Sequence, residues 1–317
     1  MTIQQAKLYG KNELSLSPTP VLDTEVILQH VTGFDKTRLL LNRDSELSEG
    51  QKSAFTKAIK KRKTGLPVAY ITNEKEFFGR NFYVDESVLI PKPDTETLIE
   101  NALEIAEKIE KSKTFGSEDF MICDLCSGSG CIGITFLKEI ETRAPELHKK
   151  AKITFIDISQ AALKITMLNA ARIFSEDEIG KARFFRSNLF ETIDEKFNEN
   201  IDAKPGTNSA TETKFDMILT NPPYIPSNEA KDLLKDGRSE PLLALDGLSD
   251  DGLGLIRNLI PQAYAHLNAN GVMLMETGEY NAEKAAELMK NASFRNVSIA
   301  RDWAGMLRVV DGCRCAK

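Results

Sequence analysis

From about residue 116 to the C-terminus, short runs rich in Val, Ile and Phe alternate with helical segments. That alternation admits little besides a parallel, doubly wound sheet. The runs at 120–125, 153–158, 182–187, 215–219 and 272–276 read as strands, with 297–300 and 307–310 as two short closing ones. Helices are expected at 132–140, 161–173, 251–267 and 282–290. The polar stretch 198–213, with Pro205-Gly206 among Ser, Thr and Asn, reads as an inserted surface loop. Ligands of such sheets bind beyond the carboxyl ends of the strands, so the chemistry is to be sought there.

The first part of the chain follows another rule. Residues 1–64 read as helical, with Ser48 placed to cap a helix that runs through Lys63 and stops at Gly65 and Pro67. A polar segment, 72–79, leads to 81–90, which reads as β-hairpin material. Pro91 and Pro93 stop it, and Asp94 is expected to cap a helix over 95–111. The 317 residues therefore divide into a helical domain, 1–78, a β-hairpin linker, 79–93, and an α/β domain, 94–317.

Three strand ends carry candidate chemistry. After the first comes Asp124-Leu125-Cys126-Ser127-Gly128-Ser129-Gly130-Cys131-Ile132. Gly128 and Gly130 allow a tight turn and close approach of backbone to a ligand, and the helix start offers free N–H groups. Gly133 completes a Gly-x-Gly-x-x-Gly spacing, so a nicotinamide or flavin is allowed, and an ordinary strand–helix turn is the plain alternative. Asp157 ends the next strand, where a carboxylate can accept both hydroxyls of a ribose; its plain alternative is a helix cap. Asn221-Pro222-Pro223-Tyr224 ends the fourth strand. Two prolines fix the backbone and withhold two N–H donors, which leaves carbonyls as acceptors. Asn221 and the Pro222 carbonyl can each accept from one –NH₂ group, and Tyr224 adds a flat wall. That pattern suits a planar amino or amide nitrogen; a strand-ending turn is the alternative.

Together these residues resemble the class I S-adenosylmethionine-dependent methyltransferases that modify exocyclic or amide nitrogens. More narrowly, the chain resembles the HemK/PrmC family, which methylates the glutamine of peptide chain release factors. The likeness extends to Gly65-Leu66-Pro67-Val68-Ala69-Tyr70-Ile71, Glu76-Phe77-Phe78-Gly79 and Leu89-Ile90-Pro91-Lys92-Pro93-Asp94-Thr95-Glu96. It continues in Glu240-Pro241, Ala244-Leu245-Asp246-Gly247, Asp251-Gly252, Ala304-Gly305 and Arg308-Val309-Val310.

The resemblance implies a Rossmann-like, seven-stranded class I methyltransferase domain behind a small helical substrate-recognition domain. It implies S-adenosylmethionine held by Cys126, Ser127, Gly128, Ser129, Gly130, Asp157, Asn188, Leu189 and Asn221. Asn221, Pro222, Pro223 and Tyr224 would bind the substrate, with Asn221, Pro222 and Tyr224 catalytic. The substrate would be a class 1 release factor, methylated at the glutamine of its Gly-Gly-Gln motif. The chain departs from the family pattern at Lys92, usually Arg, at Cys126, often Gly, and at Asn188, usually Asp. Gly305-Met306-Leu307-Arg308 lacks the polar pair common after that Gly, and the loop 198–213 is longer than expected.

Composition bears on the competing substrates. A ribosomal-protein glutamine, or N6 of adenine in DNA or RNA, would suit the same Asn-Pro-Pro-Tyr logic. A net charge of −6 argues against a chain whose main task is to grip nucleic acid. A non-catalytic cofactor-binding scaffold has no need of Asn221–Tyr224. No apolar run approaches the roughly 18 residues of a membrane span, and the first residues lack the apolar core of a signal peptide. Five cysteines and three scattered histidines suggest neither a disulfide framework nor a metal centre. A cytoplasmic monomer, without membrane or direct nucleic-acid binding, is the expectation.

The remaining features have plain readings. Lys57, Lys60, Lys61, Arg62 and Lys63 suit a solvated helix end, or a docking patch. Cys123, Cys126 and Cys131 read as small core residues, Cys313 and Cys315 as exposed thiols, and Trp303 as core. Glu276 and Glu279 either line the crevice or are solvated.

Overall fold

The structure is a computed structural model that describes residues 1–112, 119–191, 213–235 and 240–315. Most of the loop expected at 198–213 lies outside these residues.

The helices α1 (Ile3–Glu13) and α4 (Glu49–Lys63) each begin with a capping box, Thr2 with Gln5 and Ser48 with Gln51. Such a box satisfies two of the N–H groups a helix start leaves unpaired. Between them, α2 (Pro20–Thr32) starts on Pro20 and ends at Gly33, whose φ of 70° any side chain would strain. Ile27, Leu28, Leu39, Phe55 and Ile59 close a small separate core. Arg62 is not a free docking charge: its Nε donates to Asp23 at 2.7 Å, and Lys63 pairs with Glu13 at 2.8 Å.

The hairpin comes earlier than expected. Its strands are β1 (Glu74–Phe77) and β2 (Arg80–Tyr83), so it straddles residue 79 and the stretch 84–90 forms no strand. The sequence misleads because β1 is polar, Glu-Lys-Glu-Phe, with only Phe77 buried. Its turn, Phe78 and Gly79, takes φ of 51° and 74°, the left-handed pair that suits a two-residue hairpin. Val84 and Val88 are apolar for another reason: with Tyr70 they pack on Ala162 and Ile165 of the α/β domain. The Tyr70 hydroxyl donates to the Val88 carbonyl at 2.6 Å.

A 3₁₀ turn, Pro93–Thr95, precedes α6 (Glu96–Ser112). Asp94 lies inside that turn, and its carboxylate is 3.3 Å from Arg308.

The α/β domain then alternates as its sequence demands, through β3 (Phe120–Leu125), α7 (Cys131–Arg143), β4 (Ala151–Asp157), α9 (Gln160–Ile173), β5 (Ala182–Arg186), β6 (Phe215–Thr220), β7 (Leu267–Glu276), β8 (Arg295–Arg301) and β9 (Leu307–Cys313). Among the described residues these strands form a seven-stranded sheet in the order β5-β4-β3-β6-β7-β9-β8. All pairs are parallel except those of β9, which enters antiparallel between β7 and β8. Buried apolar clusters cover both faces, which is why β3 and β6 read as nearly unbroken apolar runs.

Two tail expectations fail. Trp303 is 92% exposed at the tip between β8 and β9, where a two-strand turn has no second layer to cover it. Cys313 and Cys315 are joined in a disulfide. Glu141, His148 and Glu178 come together, but Lys138 reaches Glu141 at 2.6 Å and Glu178 at 2.9 Å, so a lysine supplies the positive charge there. Among the described residues no helix is long and apolar enough to cross a membrane.

Candidate active site

β3 has β4 on one side and β6 on the other, and this reversal of strand order opens a crevice past their carboxyl ends. A cavity of about 340 Å³ lies there, within the roughly 300–1,000 Å³ of small-molecule sites. Cys126, Ser127, Gly128, Ser129, Asp157, Asn188, Leu189, Asn221 and Pro223 line it. Gly130, Pro222 and Tyr224 stand outside its lining.

The glycine turn is held from both sides. Its Ser127 N–H donates to the Ile156 carbonyl at 3.1 Å, and its Gly128 N–H to Asp157 Oδ2 at 2.9 Å. The two glycines do different work. A Cβ on Gly128 would stand in open space on the cavity wall; one on Gly130 would lie 2.7 Å from Thr166 Cγ2. Gly133 brings α7 against the sheet, since a Cβ there would lie 2.7 Å from the Phe155 ring and 2.8 Å from Asp124 Cβ. Its N–H donates to the buried Asp124 carboxyl at 2.9 Å, whose pKa burial pushes well up. Cys126 has a φ of 60°, in the left-handed region that glycine adopts most easily.

Asp157 is not the cap of α9. Ser159 is, accepting from the Ala162 N–H at 3.2 Å. Asp157 instead organises the turn, with Oδ1 accepting from Ser159 N–H at 2.8 Å and Oδ2 from Gly128, and burial raises its pKa. Asn188 is exposed and donates to Glu191 at 2.8 Å. Leu189 is buried beside it with a φ of 52°.

At the end of β6, the Asn221 Nδ2 donates to Thr95 Oγ1 at 3.4 Å. Pro222 is buried. The Tyr224 hydroxyl donates to Glu276 Oε1 at 3.1 Å, and its carbonyl accepts from Asn281 Nδ2 at 3.2 Å. Glu276, at the end of β7, is 1% exposed, and burial raises both its pKa and that of Tyr224. The segment that follows is pinned to a loop further on. Ile225 N–H donates to the Leu245 carbonyl at 2.9 Å, and Gly247 N–H to the Ile225 carbonyl at 2.8 Å.

Distant signature segments meet here. Lys92 pairs with the buried Glu240 at 2.7 Å, and Ile90 N–H donates to the same oxygen at 3.3 Å. Arg308 bridges Asp94 at 3.3 Å and Asp302 at 3.0 Å. Val88 and Pro91 from the linker, Thr95 from the 3₁₀ turn, and Leu243 and Leu248 from the later loop complete the cavity wall. Lys92, Thr95, Glu240 and Arg308 belong to the resembling motifs, which is their signal in the sequence; Val88, Leu243, Leu248 and Asp302 lie outside those motifs and carry no local signal.

A family model described as the PrmC N-terminal domain matches residues 5–72. The release factor glutamine methyltransferase of Koribacter versatilis is 33% identical over 315 residues, covering 98% of each chain. That of Haemophilus influenzae is 33% identical over 292 residues, covering 92% of this chain and 90% of its own. A solved structure of the release-factor-specific protein-(glutamine-N5) methyltransferase from Alicyclobacillus acidocaldarius aligns at 22% identity and a TM-score of 0.39, over 74% of this chain and 100% of that one.

Proposed function

Because this chain belongs to the release factor glutamine methyltransferase family, we propose that it methylates the side-chain amide nitrogen of the glutamine in the Gly-Gly-Gln motif of class 1 peptide chain release factors, using S-adenosylmethionine. The observation that carries the reading is the convergence of Gly128, Asp157 and Asn221 on one cavity at the point where strand order reverses.

The residues fit the cofactor. Gly128 leaves open space where a side chain would stand, and the Asp157 carboxylate at the β4 end suits ribose hydroxyls. Ser127, Ser129 and Leu189 belong to the same wall. When bound, S-adenosylmethionine supplies an electrophilic methyl group on a sulfonium. The protein's task is then to prepare a poor nucleophile, because an amide lone pair is delocalised into its carbonyl. Asn221 Oδ1 and the Pro222 carbonyl accept the two amide hydrogens, fix the nitrogen and favour its pyramidal form. Holding reactants in this way supplies several kcal/mol of barrier lowering. The same oxygens face the positive charge that grows on nitrogen. Tyr224, tied to Glu276, keeps the wall flat, and the extra proton leaves to water after transfer. Residues 1–78 serve substrate recognition, the segment 79–93 links, and 94–317 catalyse.

Asp157→Ala removes both the ribose acceptor and the tie to Gly128. Its Kd for S-adenosylmethionine, measured by calorimetry, rises about tenfold or more, in line with roughly 1.5–3 kcal/mol for a hydrogen bond to a charged group. A Kd within twofold of wild type rejects the assignment. The reading as a whole is tested by a labelled-methyl assay with a release factor, its Gln→Ala form, a ribosomal protein and duplex DNA in parallel. Label confined to the release factor with its glutamine intact is expected. Label on DNA, or on the Gln→Ala factor, overturns it.

A further inference from the structure

A side-chain amide has two nearly isosteric orientations, related by a half turn, and only one of them presents oxygen to a substrate. Flipped, Asn221 would set its –NH₂ against the substrate –NH₂, donor against donor. The structure holds a device that chooses between them. Asn221 Nδ2 donates to Thr95 Oγ1 at 3.4 Å, so Oδ1 points the other way. Thr95 is 2% exposed and reaches the cavity from the 3₁₀ turn before α6. Its oxygen receives the Asn221 hydrogen, which leaves its own hydrogen to give. The Glu276 carboxyl, 1% exposed, is the acceptor beside it. One oxygen of that carboxyl accepts from Tyr224, and Oε2 is buried without a bonded partner. That leaves Oε2 open to the Thr95 hydroxyl; the ionised carboxylate only accepts, so a hydrogen given by Thr95 to Glu276 would fix the direction from Asn221 to Thr95 to Glu276.

We propose that Thr95 and Glu276 are positioning residues that lock the Asn221 amide with its oxygen toward the substrate. The inference rests on the reading of Asn221 as an acceptor for the substrate amide. It reaches beyond the Asn-Pro-Pro-Tyr motif to two residues on other elements, one from the 3₁₀ turn and one from β7.

The test is methylation of a release factor by Thr95→Val, Thr95→Ser and Glu276→Gln variants, with S-adenosylmethionine affinity measured separately for each. Thr95→Val keeps the shape and removes the hydroxyl, so kcat falls about tenfold while KM for the release factor and cofactor Kd stay within about twofold. Thr95→Ser restores the hydroxyl and returns kcat to within about twofold of wild type. Glu276→Gln brings an –NH₂ that donates to the Thr95 oxygen and reverses the chain, so its kcat falls at least as far as that of Thr95→Val. Wild-type kcat in Thr95→Val overturns the proposal. So does an equal loss in Thr95→Ser and Thr95→Val, or a loss matched by lost cofactor affinity, since either assigns Thr95 to packing. Wild-type enzyme that fails to label the glutamine overturns the reading beneath it instead.

Discussion

Asn221→Ala lowers kcat for methyl transfer by about 10²–10³-fold and leaves S-adenosylmethionine affinity within about threefold. The size follows from the removal of one preorganised group that faces developing charge, which costs roughly that factor in enzymes of other classes. The separation of the two readouts follows from the layout. The residues proposed to hold the cofactor are spread over the glycine turn, Asp157 and Leu189, on β3, β4 and the segment after β5, whereas Asn221 ends β6. The substitution also removes the donor to Thr95, but the Glu276 carboxyl stays beside Thr95, with Oε2 open to its hydroxyl hydrogen. Single-turnover methylation of a release factor, alongside calorimetric cofactor binding, measures both. Methyl transfer near the wild-type rate would show that another group orients the amide. A joint loss of transfer and cofactor binding would make Asn221 a cofactor residue.

The parts of this protein that the sequence makes plain are those with a local cause. Strand and helix periods foretell the doubly wound sheet because β3, β4 and β6 must each bury both faces. Ser48 announces its helix because a cap acts over three residues. Gly128, Asp157 and Asn221 can be picked out one at a time, since each ends a recognisable strand. What fails locally is set by distant partners. β1 is strand because β2 folds onto it, not because Glu-Lys-Glu-Phe prefers it. Trp303 looks like core by its apolar area, yet nothing packs over the turn that carries it. Glu276 lies equally well in solvent or crevice on sequence grounds; it is buried, and Tyr224, far away in the chain, donates to it there. Lys92 and Glu240 are separated by the whole front of the sheet in sequence and yet form one ion pair.

Gly252 belongs to that second kind, and it sets the other large effect. Its φ of 71° lies in the left-handed region, and a Cβ there would stand 2.1 Å from the Tyr224 carbonyl oxygen, 3.0 Å from the Tyr224 carbonyl carbon and 3.2 Å from Pro226 N. All three neighbours are backbone, so no rotamer change relieves the clash. The Tyr224 carbonyl is held by Asn281, and residues 222 and 223 are prolines, so a push on Tyr224 travels along a stiff strap to Pro222 and Asn221. A displacement of about 1 Å at a reacting group costs roughly 10²-fold in rate. Gly252→Ala is therefore expected to lose about 10²-fold in kcat, and thermal stability as well, with cofactor affinity little changed. Gly33→Ala separates the two causes. Gly33 has a nearly equal φ of 70° but nothing within 4 Å of a Cβ, so it carries only the left-handed cost, about 1–2 kcal/mol, and keeps full activity. If Gly252→Ala matches Gly33→Ala in both melting temperature and kcat, the loop around Gly252 yields freely and does not buttress the Asn-Pro-Pro-Tyr strap. A large loss of kcat in Gly252→Ala alone means that the strap's backbone position, and not only its side chains, sets the rate.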